Sequence, residues 1–176
     1  MGNDNSVMGY IHLYTGNGKG KTTAAIGLAV RAAGAGRKVF IAQFVKGMHY
    51  AELDSLKCFP EIEIKQFGLD CFIKQKPTEK DIEAARVGLN EVTAAIGNNS
   101  YNIVILDEIC IALFYNLFGV DEVLSLLKNK PEQMEIVLTG RYAPNELIEI
   151  SDLVTEMKEI KHYYTKGVQA REGIEF

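Results

Sequence analysis

Tryptophan is missing from the 176 residues, and cysteine and proline are sparse, at three and four. Cys58, Cys71 and Cys110 form no Cys-x-x-Cys pair and no Cys/His pair at ligand spacing. An odd number without such spacing argues against a disulfide framework and a zinc site and fits a reducing compartment. An excess of positive charge is lacking too: the net charge is −4 and the pI is near 5.5. Holding nucleic acid by general phosphate neutralisation needs a basic surface, so no nucleic-acid partner is expected, although a local basic pocket stays open. No apolar run approaches the ~20 residues of a membrane span, and Met1 to Met8 hold no apolar core of signal-peptide length. The expectation is a cytoplasmic protein with no membrane partner. Repeats, low-complexity tracts and Pro/Gly/Ser-rich linkers are absent as well.

What is present reads as an ordinary globular chain, 47% hydrophobic and 24% charged. At this length a core forms without staples, since domains of about 150 residues bury roughly two-thirds of their unfolded surface. Residues 1–8 are expected to be poorly ordered, and residues 9–176 to form one domain that includes the C-terminal tail.

Tyr10 to Tyr14 predicts a strand, because a β-branched and aromatic run stops at a glycine-rich turn. Thr22 to Ala35 predicts a helix whose small and aliphatic residues nearly surround its axis, ended by Gly34 and Gly36. Lys38 to Phe44 is apolar enough for a parallel strand covered on both faces. Ala51 to Cys58 reads as a short helix, and Ile62 to Phe67 alternates like an edge strand. A hydroxyl cap at Thr78 opens a long helix to about Ile96. Asn102 to Asp107 is the clearest strand. Helices through Tyr115 and over Val120 to Leu127 follow, then a strand from Glu135 to Thr139, a helix over Pro144 to Ile150 and a last strand at Leu153 to Met157. This alternation predicts an α/β fold around a mainly parallel sheet, with ligands at the strand C-terminal ends.

The chemistry concentrates in Thr15-Gly16-Asn17-Gly18-Lys19-Gly20-Lys21-Thr22-Thr23, placed between a predicted strand and a predicted helix. Glycines there let backbone N–H groups surround an anion, Lys21 offers a point charge to phosphate oxygens, and the Thr22 hydroxyl can hold Mg²⁺. A plain tight turn explains none of the interleaved lysines. The usual pattern leaves four residues between its first glycine and the Gly-Lys pair; Thr15 stands at that first position, so the loop is a variant. Asp107 and Glu108 are delivered by an apolar strand, where a carboxylate can reach Mg²⁺. Arg31 and Arg141 are either triphosphate contacts or surface salt bridges. His12 reads as a satisfied core or edge residue, and His49 and His162 as loop residues. No Ser/His/Asp or Cys/His constellation can be assembled.

These residues resemble the P-loop corrinoid adenosyltransferases. The marks are Gly16 to Thr23, Gln43-Phe44-Val45-Lys46-Gly47, Leu106-Asp107-Glu108, Thr139-Gly140-Arg141, and a tail with Asp152 to Met157, Lys161-His162, Gly167-Val168, Ala170-Arg171 and Gly173 to Phe176. The tail discriminates, since an ordinary P-loop ATPase has no reason to carry it. The resemblance implies a RecA-like, three-layer P-loop NTPase fold and transfer of the 5′-deoxyadenosyl group of ATP to the Co(I) of cobalamin or a precursor such as cobyrinic acid a,c-diamide, with triphosphate leaving. It implies a reversed ATP, with phosphates at Gly18, Lys19, Gly20, Lys21, Thr22 and Thr23, with Gly16 and Asn17 completing the nucleotide-binding loop, and with weaker candidates at Arg31, Gln43 and Arg141. Mg²⁺ is implied at Thr22 and Glu108, and Lys21 and Glu108 are the catalytic candidates. It also implies a homodimer and an electron-donating reductase or flavoprotein.

Two departures from the family pattern stand out. Members often carry Trp among the aromatics after the third strand; here Phe72 is the substitute, and His162 is a second corrinoid-side candidate. The segment before the first strand is short, so a partner chain is expected to cover the site. Two other readings stay open at the level of sequence: a P-loop ATPase or phosphotransferase cleaving the β–γ bond, and a non-catalytic nucleotide- or corrinoid-binding module.

Overall fold

In the computed structural model, residues 8–69, 73 and 76–176 are described. The expectation for residues 1–7 and the assignment of Phe72 therefore lie outside the described residues. Strands β1 (Ile11–Thr15), β2 (Val39–Phe44), β3 (Ile62–Phe67), β4 (Ile103–Asp107), β5 (Glu135–Thr139) and β6 (Leu153–Glu156) form one sheet in the order β3-β2-β4-β5-β1-β6. Every pairing is parallel. The expected mainly parallel sheet is thus wholly parallel among the described residues, with β3 at one edge as its alternation predicts.

Side chains alternate between two helical layers, as the period of two in a strand requires. Val39, Ile41, Ile103, Ile105 and Val137 face α1 (Lys21–Ala33), which meets them with Ala25, Ala29, Ala32 and Ala33. Leu13, Phe40, Ala42, Val104, Leu106, Ile136 and Leu138 belong to the larger core on the other face. That core is closed by α3 (Glu79–Gly97), α4 (Ile109–Phe114), α5 (Val120–Lys128) and α6 (Asn145–Ile150). The short α2 (Glu52–Ser55) and a 3₁₀ turn at Leu56–Cys58 lie between β2 and β3.

The face of α1 that meets the sheet is almost entirely alanine, which lets the helix approach closely. Its burial is one-sided: Ile26, Leu28 and Val30 are half-buried, while Thr23, Gly27 and Arg31 are exposed. The sequence reading expected apolar contact nearly all round. The difference arises because, among the described residues, α1 is the one long helix on its face and no other helix packs behind it.

Helix α3 starts where the hydroxyl cap predicts. The Thr78 side chain accepts from the Asp81 N–H while Asp81 accepts from the Thr78 N–H, a reciprocal box that satisfies donors at the helix start. Asp81 is largely buried within it.

Candidate active site

The loops leaving β1, β2, β4 and β5 meet at the C-terminal edge of the sheet, where ligands bind in open parallel α/β folds. The backbone there is strained. Val45 after β2, Glu108 after β4 and Tyr142 after β5 carry φ of 57°, 59° and 60°. A β-branched residue at positive φ is an outlier, and such strain concentrates at functional sites.

Asp107 is the hub, with 1% exposure and four donors. Its Oδ1 accepts from Thr22 Oγ1 at 2.8 Å and Thr139 Oγ1 at 2.7 Å. Its Oδ2 accepts from Lys46 Nζ at 2.7 Å and Gln43 Nε2 at 3.3 Å. A carboxylate offers about four acceptor positions, so Asp107 is saturated by protein. Burial works against the Lys46 ammonium, but the Asp107 charge and hydrogen bond hold its pKa above the ordinary lysine value. Glu108 differs: among the described residues its carboxylate has no hydrogen-bond partner, while its N–H donates to Thr139 Oγ1 at 2.9 Å. Burial, with the Asp107 charge second, lifts its carboxyl above the ordinary range against the pull of Lys46, Lys21 and Arg141.

Lys21 lies inside its own loop, donating to Gly16 O at 2.8 Å and Gly18 O at 2.7 Å. Burial lowers its pKa from the ordinary lysine value and Arg141 adds to this, while Glu108 and Asp107 oppose it. Gly20 caps α1. Gly16 and Gly18 have a further reason to be glycine: a Cβ on either would fall 2.6 Å from the carbonyl oxygen of Met157. Gly18 also donates its N–H to that oxygen at 2.6 Å.

The tail then returns to the loop. Lys19 Nζ donates to Ile174 O and Glu175 Oε1, each at 2.6 Å, and to the Tyr163 hydroxyl at 3.3 Å. Tyr163 itself bonds Glu175, and the Arg171 guanidinium sits 4.9 Å from its ring centre. Lys19, with Tyr163 second, holds the Glu175 carboxyl far below the usual carboxylate range.

The sequence candidates separate accordingly. Gly16, Asn17, Gly18, Lys19, Gly20, Lys21, Thr22 and Arg141 gather at the strand ends, and Thr23 is exposed on the first turn of α1. Gly18, however, spends its amide on the tail instead of facing into the loop. Arg31 is not brought to the loop: ten residues along a helix is about 15 Å, which leaves it in the last turn of α1. Gln43 is fully buried and supports Asp107 and Gln66. His162 caps a 3₁₀ turn at Tyr163–Lys166 by accepting from Tyr164 N. His12 is satisfied by Glu135 at 2.7 Å. Sequence reasoning gave no role to Lys46 or to the saturation of Asp107. The signal available was the spacing Gln43-x-x-Lys46, which becomes meaningful only once β2 lies beside β4. Cys110 is no nucleophile, since burial and the Glu108 charge push its thiol up to about 12.

A parallel three-layer sheet with a lysine-bearing glycine loop at one strand end and an acidic pair at another defines a P-loop nucleotide-binding protein of RecA-like architecture. A KaiC-like protein from the hyperthermophilic archaeon Pyrococcus horikoshii OT3 shares this fold, with a TM-score of 0.58 at 16% identity over 88% of this chain and 75% of that one. The sequence model for the family "ATP:corrinoid adenosyltransferase BtuR/CobO/CobP" matches residues 7–176. The chain is 33% identical to the corrinoid adenosyltransferase of Escherichia coli (strain K12) over 168 residues, covering 96% of this chain and 86% of that protein. It is 37% identical to the corrinoid adenosyltransferase of a Sinorhizobium species over 172 residues, covering 96% and 80%. The chain belongs to the corrinoid adenosyltransferase family, whose general reaction is ATP-dependent adenosylation of a corrinoid.

Proposed function

We propose that the chain transfers the 5′-deoxyadenosyl group of ATP to the Co(I) centre of a reduced corrinoid, complete cobalamin or a precursor, and releases triphosphate, in making or salvaging the adenosylated cofactor. What carries the reading is the meeting of the Lys21–Thr22 loop with Asp107 and Glu108 in a chain that matches adenosyltransferases over nearly its whole length. The Co(I) electron pair attacks C5′, the C5′–O5′ bond breaks, its electron pair leaves with triphosphate, and cobalt becomes formally Co(III). Co(I) is itself the nucleophile, so the protein must chiefly align C5′ and stabilise departing negative charge.

Lys21 takes that second role, exchanging its contacts with Gly16 O and Gly18 O for phosphate oxygens, with Lys19 and Arg141 adding charge at the rim. Mg²⁺ prefers oxygen donors and keeps several for phosphates and water. The Thr22 hydroxyl and Glu108 fit it: Glu108 has lone pairs free among the described residues, whereas Asp107 is saturated. Held by these two residues, Mg²⁺ would neutralise triphosphate charge. A homodimer, a partner reductase or flavoprotein and a cytoplasmic site of action complete the reading; no helix among the described residues is long and apolar enough to cross a membrane.

The deciding experiment is anaerobic incubation with MgATP and chemically reduced corrinoid. A light-sensitive cobalt–carbon product formed in equal amount with triphosphate is expected. ADP and phosphate without that product would show β–γ cleavage instead. Lys21→Ala should lower turnover about 10²–10³-fold, the scale of losing one charge-stabilising group; unchanged turnover would remove the lysine from the mechanism.

A further inference from the structure

Tyr142 combines three features. Its φ of 60° places a bulky residue in the left-handed region. It lines a groove of about 560 Å³ with Asn17 of the phosphate loop, Arg141, Glu156, Lys158 and Glu159. The residue is 55% exposed and its ring stacks on that of Phe114, itself 53% exposed, with centroids 4.5 Å apart and planes at 30°. Phe114 ends α4, the short helix that starts directly after Glu108. Strand β5, whose exit leads to Tyr142, lies between β1 with its phosphate loop and β4 with its acids. The two rings therefore stand on the connections that frame the site.

Neither ring closes the core, since each residue keeps more than half its surface exposed. The pair is nevertheless backed. Phe114 meets Tyr115 edge-to-face at 5.4 Å, and the Tyr115 hydroxyl donates to Ile73 O at 3.0 Å. A fixed aromatic surface held by a strained backbone beside a phosphate loop is built to meet a ligand.

We propose that Phe114 and Tyr142 form the wall against which the apolar ring face of the corrin macrocycle packs; the assignment rests on the adenosyl transfer proposed above. The two substrates ask for different surfaces. Triphosphate requires cations and amides, which the Gly16–Thr22 loop, Lys19 and Arg141 supply. A corrin presents a broad apolar ring face edged with polar side groups, and it needs aromatic surface that excludes water. Adenine is the poorer fit, because the two rings already fill the slot between them at 4.5 Å. A base has no room to intercalate, while the outer surfaces of the pair remain open to a larger ring.

The test uses Phe114→Gln, Tyr142→Gly and Tyr142→Phe in the full chain. Glycine suits the positive φ and removes the ring without adding strain, and phenylalanine keeps the ring while losing the hydroxyl. Binding of Co(II) corrinoid is followed by its absorption spectrum, MgATP binding by calorimetry, and KM for each substrate under reducing conditions. The expected result is a rise of about tenfold in corrinoid Kd and KM for Phe114→Gln and Tyr142→Gly, the scale of losing an aromatic stacking contact. MgATP Kd should stay within about twofold, and Tyr142→Phe, which restores the ring, should recover most of the corrinoid binding that Tyr142→Gly loses. Thermal melts close to the parent establish that the variants fold; if one ring-removing variant fails to fold, the other carries the test. Unchanged corrinoid binding in a folded variant would overturn the proposal, as would a loss confined to MgATP, which would assign the wall to adenine. A parent protein that makes no cobalt–carbon product would instead defeat the reaction itself, so the two failures are distinguishable.

Discussion

Asp107 and Glu108 are neighbours in sequence with opposite fates. Asp107 ends β4 facing inward, where four donors converge; Glu108 takes a left-handed backbone and keeps its carboxylate free among the described residues. Removing Asp107 leaves the largely buried Lys46 ammonium without its closest anion, a loss of about 3–5 kcal/mol for a broken buried pair. Asp107→Ala should show that drop in urea unfolding. For Glu108 the direction reverses. Its folded carboxyl titrates above the ordinary 4.5, so the folded state holds the proton more tightly than the unfolded chain. The stability this gives is present at low pH and is lost as pH rises from the unfolded value through the raised one. Glutamine has no such loss. Glu108→Gln should therefore melt higher than the parent above that window, on the order of 2 °C, with the difference fading in acid. Its Mg²⁺-dependent turnover should fall at the same time, separating a functional charge from a stabilising one.

The loop and the tail form one device at the scale of elements. Met157 crosses Gly16 and Gly18, and Glu175 reaches back to Lys19. The tail segments that mark the family are thus the segments that touch the loop, an association no periodicity reveals. A Cβ at position 18 would meet the Met157 carbonyl at 2.6 Å. Gly18→Ala should therefore destabilise by about 1–3 kcal/mol, the usual cost of overpacking, and weaken MgATP binding as well. Calorimetric titration beside a denaturant melt checks both. The elements themselves were largely legible: Thr78 with Asp81 announced α3, and the apolar run Ile103 to Leu106 announced β4. One-sided burial of α1 was not, because the sequence of a helix does not state how many layers lie behind it.

At the scale of the whole molecule, ligand binding and stability are linked. A ligand that binds only the folded state at about 100 times its Kd adds about 2.7 kcal/mol, a rise of roughly 5–10 °C in Tm for a chain of this size. MgATP should produce that rise in a thermal melt, and Lys21→Ala should abolish most of it relative to the variant's own unliganded melt, which itself falls with the loss of the hydrogen bonds to Gly16 O and Gly18 O.

The sequence by itself determined the α/β alternation, the phosphate loop and the acid-bearing strand, because each is written in contiguous residues whose spacing has a local physical cause. Only the tertiary structure decided which groups are free to act. Lys46 and Gln43 saturate Asp107 across strands, Arg31 is carried away along α1, and Tyr142 meets Phe114 from another connection. These outcomes depend on strand order and on which loops share an edge of the sheet, and the register between segments far apart in the chain is fixed by packing.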